Sequence, residues 1–149
     1  MIVIDANLLI YSYNSGSLRH TKAREWLERV LSGTEAVGLP WQSIAAFVRI
    51  MTDPRLPGER FTVHEAAEVV NRWLDQPIVR VLTPGDDHWT LFRRMVVEGE
   101  AFGPLITDAQ IAALTVEYGG VLYTTDRDFA RFPRLRWENP LQDSKQIRG

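Results

Sequence analysis

The 149-residue sequence has no cysteine at all. Disulfides, thiolate zinc sites and cysteine nucleophiles are therefore excluded, and a reducing compartment fits. Lysine is nearly absent: Lys22 and Lys145 stand against fifteen arginines, out of seventeen basic residues. A coding bias toward arginine explains that ratio, although arginine also grips phosphate with two parallel hydrogen bonds. No apolar run approaches the roughly 20 residues that a membrane helix needs. The opening has no basic leader, and Asp5 interrupts its apolar run almost at once, unlike a signal peptide. A net charge of −2 provides no global basic field to attract nucleic acid. The best local basic patch is Arg127, Arg131, Arg134 and Arg136. These features predict a soluble, cytoplasmic protein with no membrane association.

What is present is one core's worth of apolar residues, 45% of the chain, too few for two ordinary domains. Strands and helices alternate without repeats or low-complexity linkers. Strands are expected at Ile2–Ile4, Ala36–Leu39, Ile78–Leu82 and Val121–Tyr123, with a short edge strand near Leu135–Trp137. Helices are expected over His20–Leu31, Ser43–Met51, from the capping box Thr62–Glu65, and over Asp86–Glu98. Another is expected from a second capping box, Thr107–Gln110, to Gly119–Gly120. This alternation predicts a mostly parallel sheet with helices on both faces. The polar residues 142–149 read as a frayed tail after a domain spanning residues 1–141.

Four aspartates fall where strands give way to loops or helices. Asp5 follows the first strand, Asp108 lies at the start of a helix, and Asp126 and Asp128 follow the fourth strand. Open parallel sheets place their sites at the carboxyl ends of the strands, so carboxylates remote in sequence are brought together. Clustered like charges are costly without a cation, and an all-oxygen cluster suits Mg²⁺ or Mn²⁺. Each aspartate also has a purely structural reading. Asp5 can cap a helix starting at Ala6 or Asn7, Asp108 suits the positive end of its helix dipole, and Asp126 and Asp128 fit an ordinary turn. Folding alone does not require acids at three separate strand ends. Asn7, Thr125 and Arg127 are candidates to orient the carboxylates or touch substrate. His20, His64 and His88 lack metal-ligand partners at helical spacing and read as structural. The tryptophans lie mostly on apolar helix faces, with Trp41 and Trp137 partly exposed.

The segment Met1–Asn7 resembles the opening of PIN-domain nucleases, particularly VapC-type toxins. Thr107–Leu114 resembles their third acidic motif, Tyr123–Phe132 their closing motif and Leu135–Leu141 their usual ending. The resemblance covers nearly the whole chain in order. It implies an α/β/α sandwich and a divalent metal held by Asp5, Asp108 and Asp126, with Asp128 joining them as a catalytic residue that holds the metal or orients its water. It also implies endonucleolytic cleavage of RNA by a metal-activated water, homodimerisation and neutralisation by a cognate antitoxin. One position departs from the family: Ala46 stands where a glutamate is usual in the helix after the second strand. That leaves a PIN-like module with impaired catalysis, binding only RNA or protein, as an alternative. A phospho-aspartate phosphatase or receiver built on Asp5 fits less well. Neither lysine follows a suitable strand, and Asn7 replaces the acid such phosphatases carry two residues after the nucleophile.

Overall fold

A computed structural model describes residues 1–142. The expected polar tail lies, from residue 143 onward, outside the described residues. Five strands form one sheet: β1 (Ile2–Ile4), β2 (Val37–Pro40), β3 (Val79–Leu82), β4 (Val121–Tyr123) and β5 (Trp137–Glu138). Their order is β3-β2-β1-β4-β5, and every neighbouring pair is parallel. β1 therefore lies at the centre and is flanked on both sides.

The pleat of β1 explains the layering. Ile2 and Ile4 point into one apolar cluster, with Leu8, Leu9, Trp26, Leu27, Phe47 and Trp73. Val3 points to the other face and joins Met95, Ala112, Leu122, Phe129 and Phe132. Successive side chains alternate across a strand, so a strand apolar at every position must be covered twice. The first cover comes from α1 (Ala6–Tyr13), α2 (His20–Leu31), α3 (Trp41–Met51) and α4 (Val63–Leu74). The second comes from α5 (His88–Glu98), α6 (Leu105–Glu117) and the 3₁₀ turn Arg127–Arg131. The result is the expected three-layer α/β/α sandwich.

The first layer is locked by aromatic packing. The rings of Phe47 and Trp73 meet edge to face at 4.6 Å, and Tyr13 contacts both. Trp73 Nε1 donates to the Tyr13 hydroxyl at 3.2 Å, which satisfies the one polar atom the indole takes into the core. On the other face β2 carries Gly38. A Cβ there would lie 2.8 Å from Leu82 Cδ2 and 2.9 Å from Met1 Sδ, so no larger residue fits without displacement.

Some expectations need correction. α6 opens at Leu105, two residues before the expected capping box, and Thr107 makes no cap. Gly103, at φ +55, turns the chain, Pro104 presets helical backbone, and the Phe102 and Gly103 carbonyls accept from Leu105 and Ile106. Trp89 is not in the core: it is 67% exposed and stacks on Phe92. The four C-terminal arginines form no single patch. Arg131 donates to the Gly99 and Glu100 carbonyls and Arg136 to that of Gly119. Arg134 sits in a left-handed turn at φ +63, and Arg127 lines a cleft elsewhere.

Candidate active site

The carboxyl ends of β1 and β4 lie side by side, because Ile4 is in register with Tyr123. Asp5 is the first residue past β1. It is extended, caps α1 by accepting from Ala6 N at 2.8 Å, and donates its own N–H to Tyr123 O. One residue past β4, Thr124 is fully buried and turns its hydroxyl toward Asp5. Thr124 Oγ1 donates to Asp5 Oδ2 at 2.7 Å. The same oxygen accepts from Asp126 N at 3.0 Å and Asn7 Nδ2 at 3.4 Å. A hydroxyl has one donor and two acceptor sites, so all three are filled.

This network fixes Asn7 as well. Thr124 has given its proton to Asp5, so only the amide NH₂ can meet it, and Asn7 Oδ1 must point the other way. That oxygen is buried with no partner among the described residues, as is Gln42 Oε1 near the start of α3. Buried acceptors without partners are uncommon and costly. Both lie in the first turns of helices that follow adjacent strands, at the same sheet edge as Asp5.

Asp108 enters from α6, in its first turn, and is partly buried. Its carboxyl is pushed up from 3.8 to about 6, first by burial and then by the charges of Asp5, Asp126 and Asp128, with Arg131 opposing. Burial likewise raises Asp5, against the hydrogen bonds from Thr124 and Ala6, with Asp126 adding repulsion. Asp126 Oδ1 accepts from Asp128 N at 2.8 Å and so opens the 3₁₀ turn. Asp128 is exposed at the rim. Asp5, Asp108 and Asp126 thus share one electrostatic environment, with Asp128 acting from its edge.

Other positions fall outside this group. Thr125 and Arg127 face an adjoining cleft. His20 Nδ1 pairs with Tyr11 O at 2.9 Å, and His88 Nδ1 lies 3.3 Å from Glu117. Ser43 Oγ donates to Ile4 O at 2.9 Å, which holds the face of α3 that carries Ala46 one turn later against the end of β1. Sequence reasoning chose Thr125 and missed Thr124. Its position one step beyond Tyr123, on the same side as buried Leu122, was the available signal.

The donor set fits a hard divalent cation in its chemistry: carboxylates raised by burial and by one another's charge, and the buried Asn7 amide oxygen without a partner among the described residues. Among the described residues, no three carboxylate or imidazole side chains are already gathered closely enough to enclose an ion. An ion would have to draw the carboxylates inward.

Comparison with known proteins identifies the family and the fold. The PIN domain family model matches residues 2–135. Ribonuclease VapC43 of Mycobacterium tuberculosis is 36% identical over 147 residues, covering 99% of this chain and all of that protein. Ribonuclease VapC33 of the same organism is 34% identical over 143 residues, 96% of this chain and all of the relative. Among solved structures, VapBC2 from Rickettsia felis bound to a promoter DNA fragment matches with a TM-score of 0.69 at 16% identity. It covers 93% of this chain and 98% of its own. The sarcin-ricin-loop-cleaving toxin VapC20 of M. tuberculosis matches with a TM-score of 0.64 at 22% identity, covering 91% of this chain and 99% of its own. The chain belongs to the PIN-domain family, and its full-length relatives place it among the VapC ribonucleases.

Proposed function

We propose that this chain is the toxin of a toxin–antitoxin pair, an endoribonuclease dependent on Mg²⁺ or Mn²⁺. The observation that carries the reading is the Asp5–Thr124–Asp126 network with Asp108 raised beside it. Residues 1–141 are the nuclease domain. Asp5, Asp108 and Asp126 are the groups that would hold the metal, with Asn7 Oδ1 beside them and Asp128 at the rim. A divalent ion there would supply a nucleophilic hydroxide at neutral pH and neutralise charge on the phosphate.

The chain's own part is positioning. Thr124 holds Asp5 in one rotamer and ties Asp126 to it, so the two strand ends present their carboxylates together. Arg131 is the cation that counters the group, acting on Asp108. The helix dipole of α6 favours the ionised form of Asp108 once a cation arrives. Water as the attacking group leaves a 5′-phosphate and a 3′-hydroxyl.

Relatives bearing the VapC name, and neighbours solved as VapBC assemblies, support a cognate antitoxin as partner. Exposed Trp89, Val97 and Phe102, on and just beyond α5, offer apolar surface for a homodimer. No helix among the described residues is long and apolar enough to cross a membrane, which agrees with action in the cytoplasm. Ala46 is the observation favouring the second reading, a PIN module that binds RNA without cutting it.

One assay separates the two readings. Total RNA is incubated with the protein and Mn²⁺, and the cut ends are mapped. Cleavage with 5′-phosphate ends is expected, and Asp5→Asn and Asp108→Asn should each abolish it while melting as folded proteins. Absence of metal-dependent cleavage by the wild type would favour the binding module.

A further inference from the structure

A cleft of about 370 Å³ takes Thr125 and Arg127, the chain neighbours of Asp126, into its lining. Arg19, Lys22 and Arg127 line it, with Thr125, Asn139 and Gln142. None of the described residues that line it is acidic, whereas four other clefts among the described residues each include a glutamate. The cations come from three places: the turn before α2, the first turn of α2, and the 3₁₀ turn after β4. Arg127 sits between Asp126 and Asp128, so one wall of the cleft is the rim of the acidic site.

The cleft is partly organised. Arg19 NH1 donates to the Tyr11 hydroxyl at 3.1 Å, and its guanidinium lies 5.3 Å over the Tyr11 ring. That contact anchors one edge of the fork and leaves other N–H donors exposed to solvent. Asn139 Oδ1 accepts from Leu141 N at 3.0 Å, and its amide NH₂ adds donors to the lining. The whole set is rich in donors and carries positive charge.

We propose that this cleft holds the phosphate–ribose backbone of the RNA immediately beside the scissile bond. The inference rests on the ribonuclease reading and adds where the strand lies. A polyanion approaching clustered carboxylates is repelled, and a chain of net charge −2 has no global field to offset that. Three cations at the rim supply a local attraction, with arginine forks suited to phosphate. The contacts are to backbone, so the cleft contributes affinity rather than base selectivity.

The test measures binding of a short fluorescein-labelled oligouridylate in chelator, where it is not cut, across a range of salt. The triple variant Arg19→Gln, Lys22→Gln, Arg127→Gln is compared with wild type. Binding should weaken about tenfold or more, and the slope of log affinity against log salt should flatten by about 2, roughly 0.7 per lost contact. Arg19→Lys with Arg127→Lys keeps the charge and should keep the slope. Melting temperatures confirm that all variants fold.

Equal affinity and slope in wild type and triple variant would overturn the assignment. So would intact RNA binding combined with loss of a co-purifying complex with the product of the adjacent reading frame, because the cleft would then belong to a protein partner. Cleavage by the wild type alongside unchanged RNA binding in the variant defeats the cleft and leaves the ribonuclease standing. Weakened RNA binding in the variant, with no cleavage by the wild type, leaves the cleft standing and defeats the nuclease.

Discussion

Thr124 Oγ1 donates to Asp5 Oδ2 across 2.7 Å, joining residues 119 positions apart in the chain. Thr124→Val keeps the shape and removes the hydroxyl. Asp126 N and Asn7 Nδ2 lose their acceptor, and Asp5 loses the hydroxyl donor at its Oδ2. Unmade hydrogen bonds of this kind cost about 1–3 kcal/mol. The variant should melt lower and bind Mn²⁺ about tenfold more weakly, as outer partners of metal ligands do when removed. Thr124→Ser should retain both properties. Calorimetric titration with Mn²⁺ checks this, and unchanged affinity in the valine variant would remove Thr124 from the site.

Asp108 gives the protein a pH dependence whose sign is opposite to that of an ordinary ion-paired acid. Its folded pKa is raised, from 3.8 to about 6. The folded state therefore holds a proton that the unfolded state releases more readily. The associated stability is complete below 3.8 and is lost as pH rises through about 6. Discounted for partial exposure, the effect is about 1 kcal/mol, or about 2–4 °C in melting temperature. In chelator the wild type should melt lower at pH 7 than at pH 4.5, and Asp108→Asn should flatten that trend. Asp5, raised in the same direction, leaves a residual slope. Saturating Mn²⁺ should stabilise the wild type more than the variant, by about 3 kcal/mol at a hundredfold excess over Kd. Equal metal-induced shifts in the two proteins would remove Asp108 from the binding set.

Ala46→Glu tests the position where the family resemblance implies an acid. Ala46 lies one turn beyond Ser43 on α3, and Ser43 is tied to the end of β1 beside Asp5. A carboxylate there would add repulsion without metal and an oxygen ligand with it. The variant should melt lower in chelator and bind Mn²⁺ at least tenfold more tightly. Unchanged affinity would mean that position 46 does not reach the pocket.

The elements legible in the sequence were those whose signals are local. The α2 span His20–Leu31 follows from its apolar spacing, and the Thr62–Glu65 capping box forms with both reciprocal bonds. The approach of Asp5 to Asp126 was legible because parallel strands deliver their ends to one edge, whereas Asp108, read as following a strand, arrives instead from the first turn of α6. The choice between Thr124 and Thr125 was not legible. It depends on where β4 stops, and a one-residue shift reverses which side chain turns inward. The basic cleft was hidden for a different reason. Arginines close in sequence diverge through a 3₁₀ turn and a left-handed residue, while Arg19 and Lys22 arrive from the far end of the chain. α6 started early because Gly103 and Pro104 set the backbone before Thr107 could cap it.

The position of β1 in the sheet has a consequence in time. It is the first strand to be synthesised, yet it pairs on one side with β4, which is among the last. β1, β2 and β3 can associate early, since chains are made from the N-terminus. The partners that hold Asp5 on its other side, the Tyr123 carbonyl and the Thr124 hydroxyl, do not exist until more than a hundred further residues have been added. Asp108 and Asp126 arrive equally late. The carboxylates therefore meet only near the end of synthesis, and each nascent copy lacks its assembled site until then.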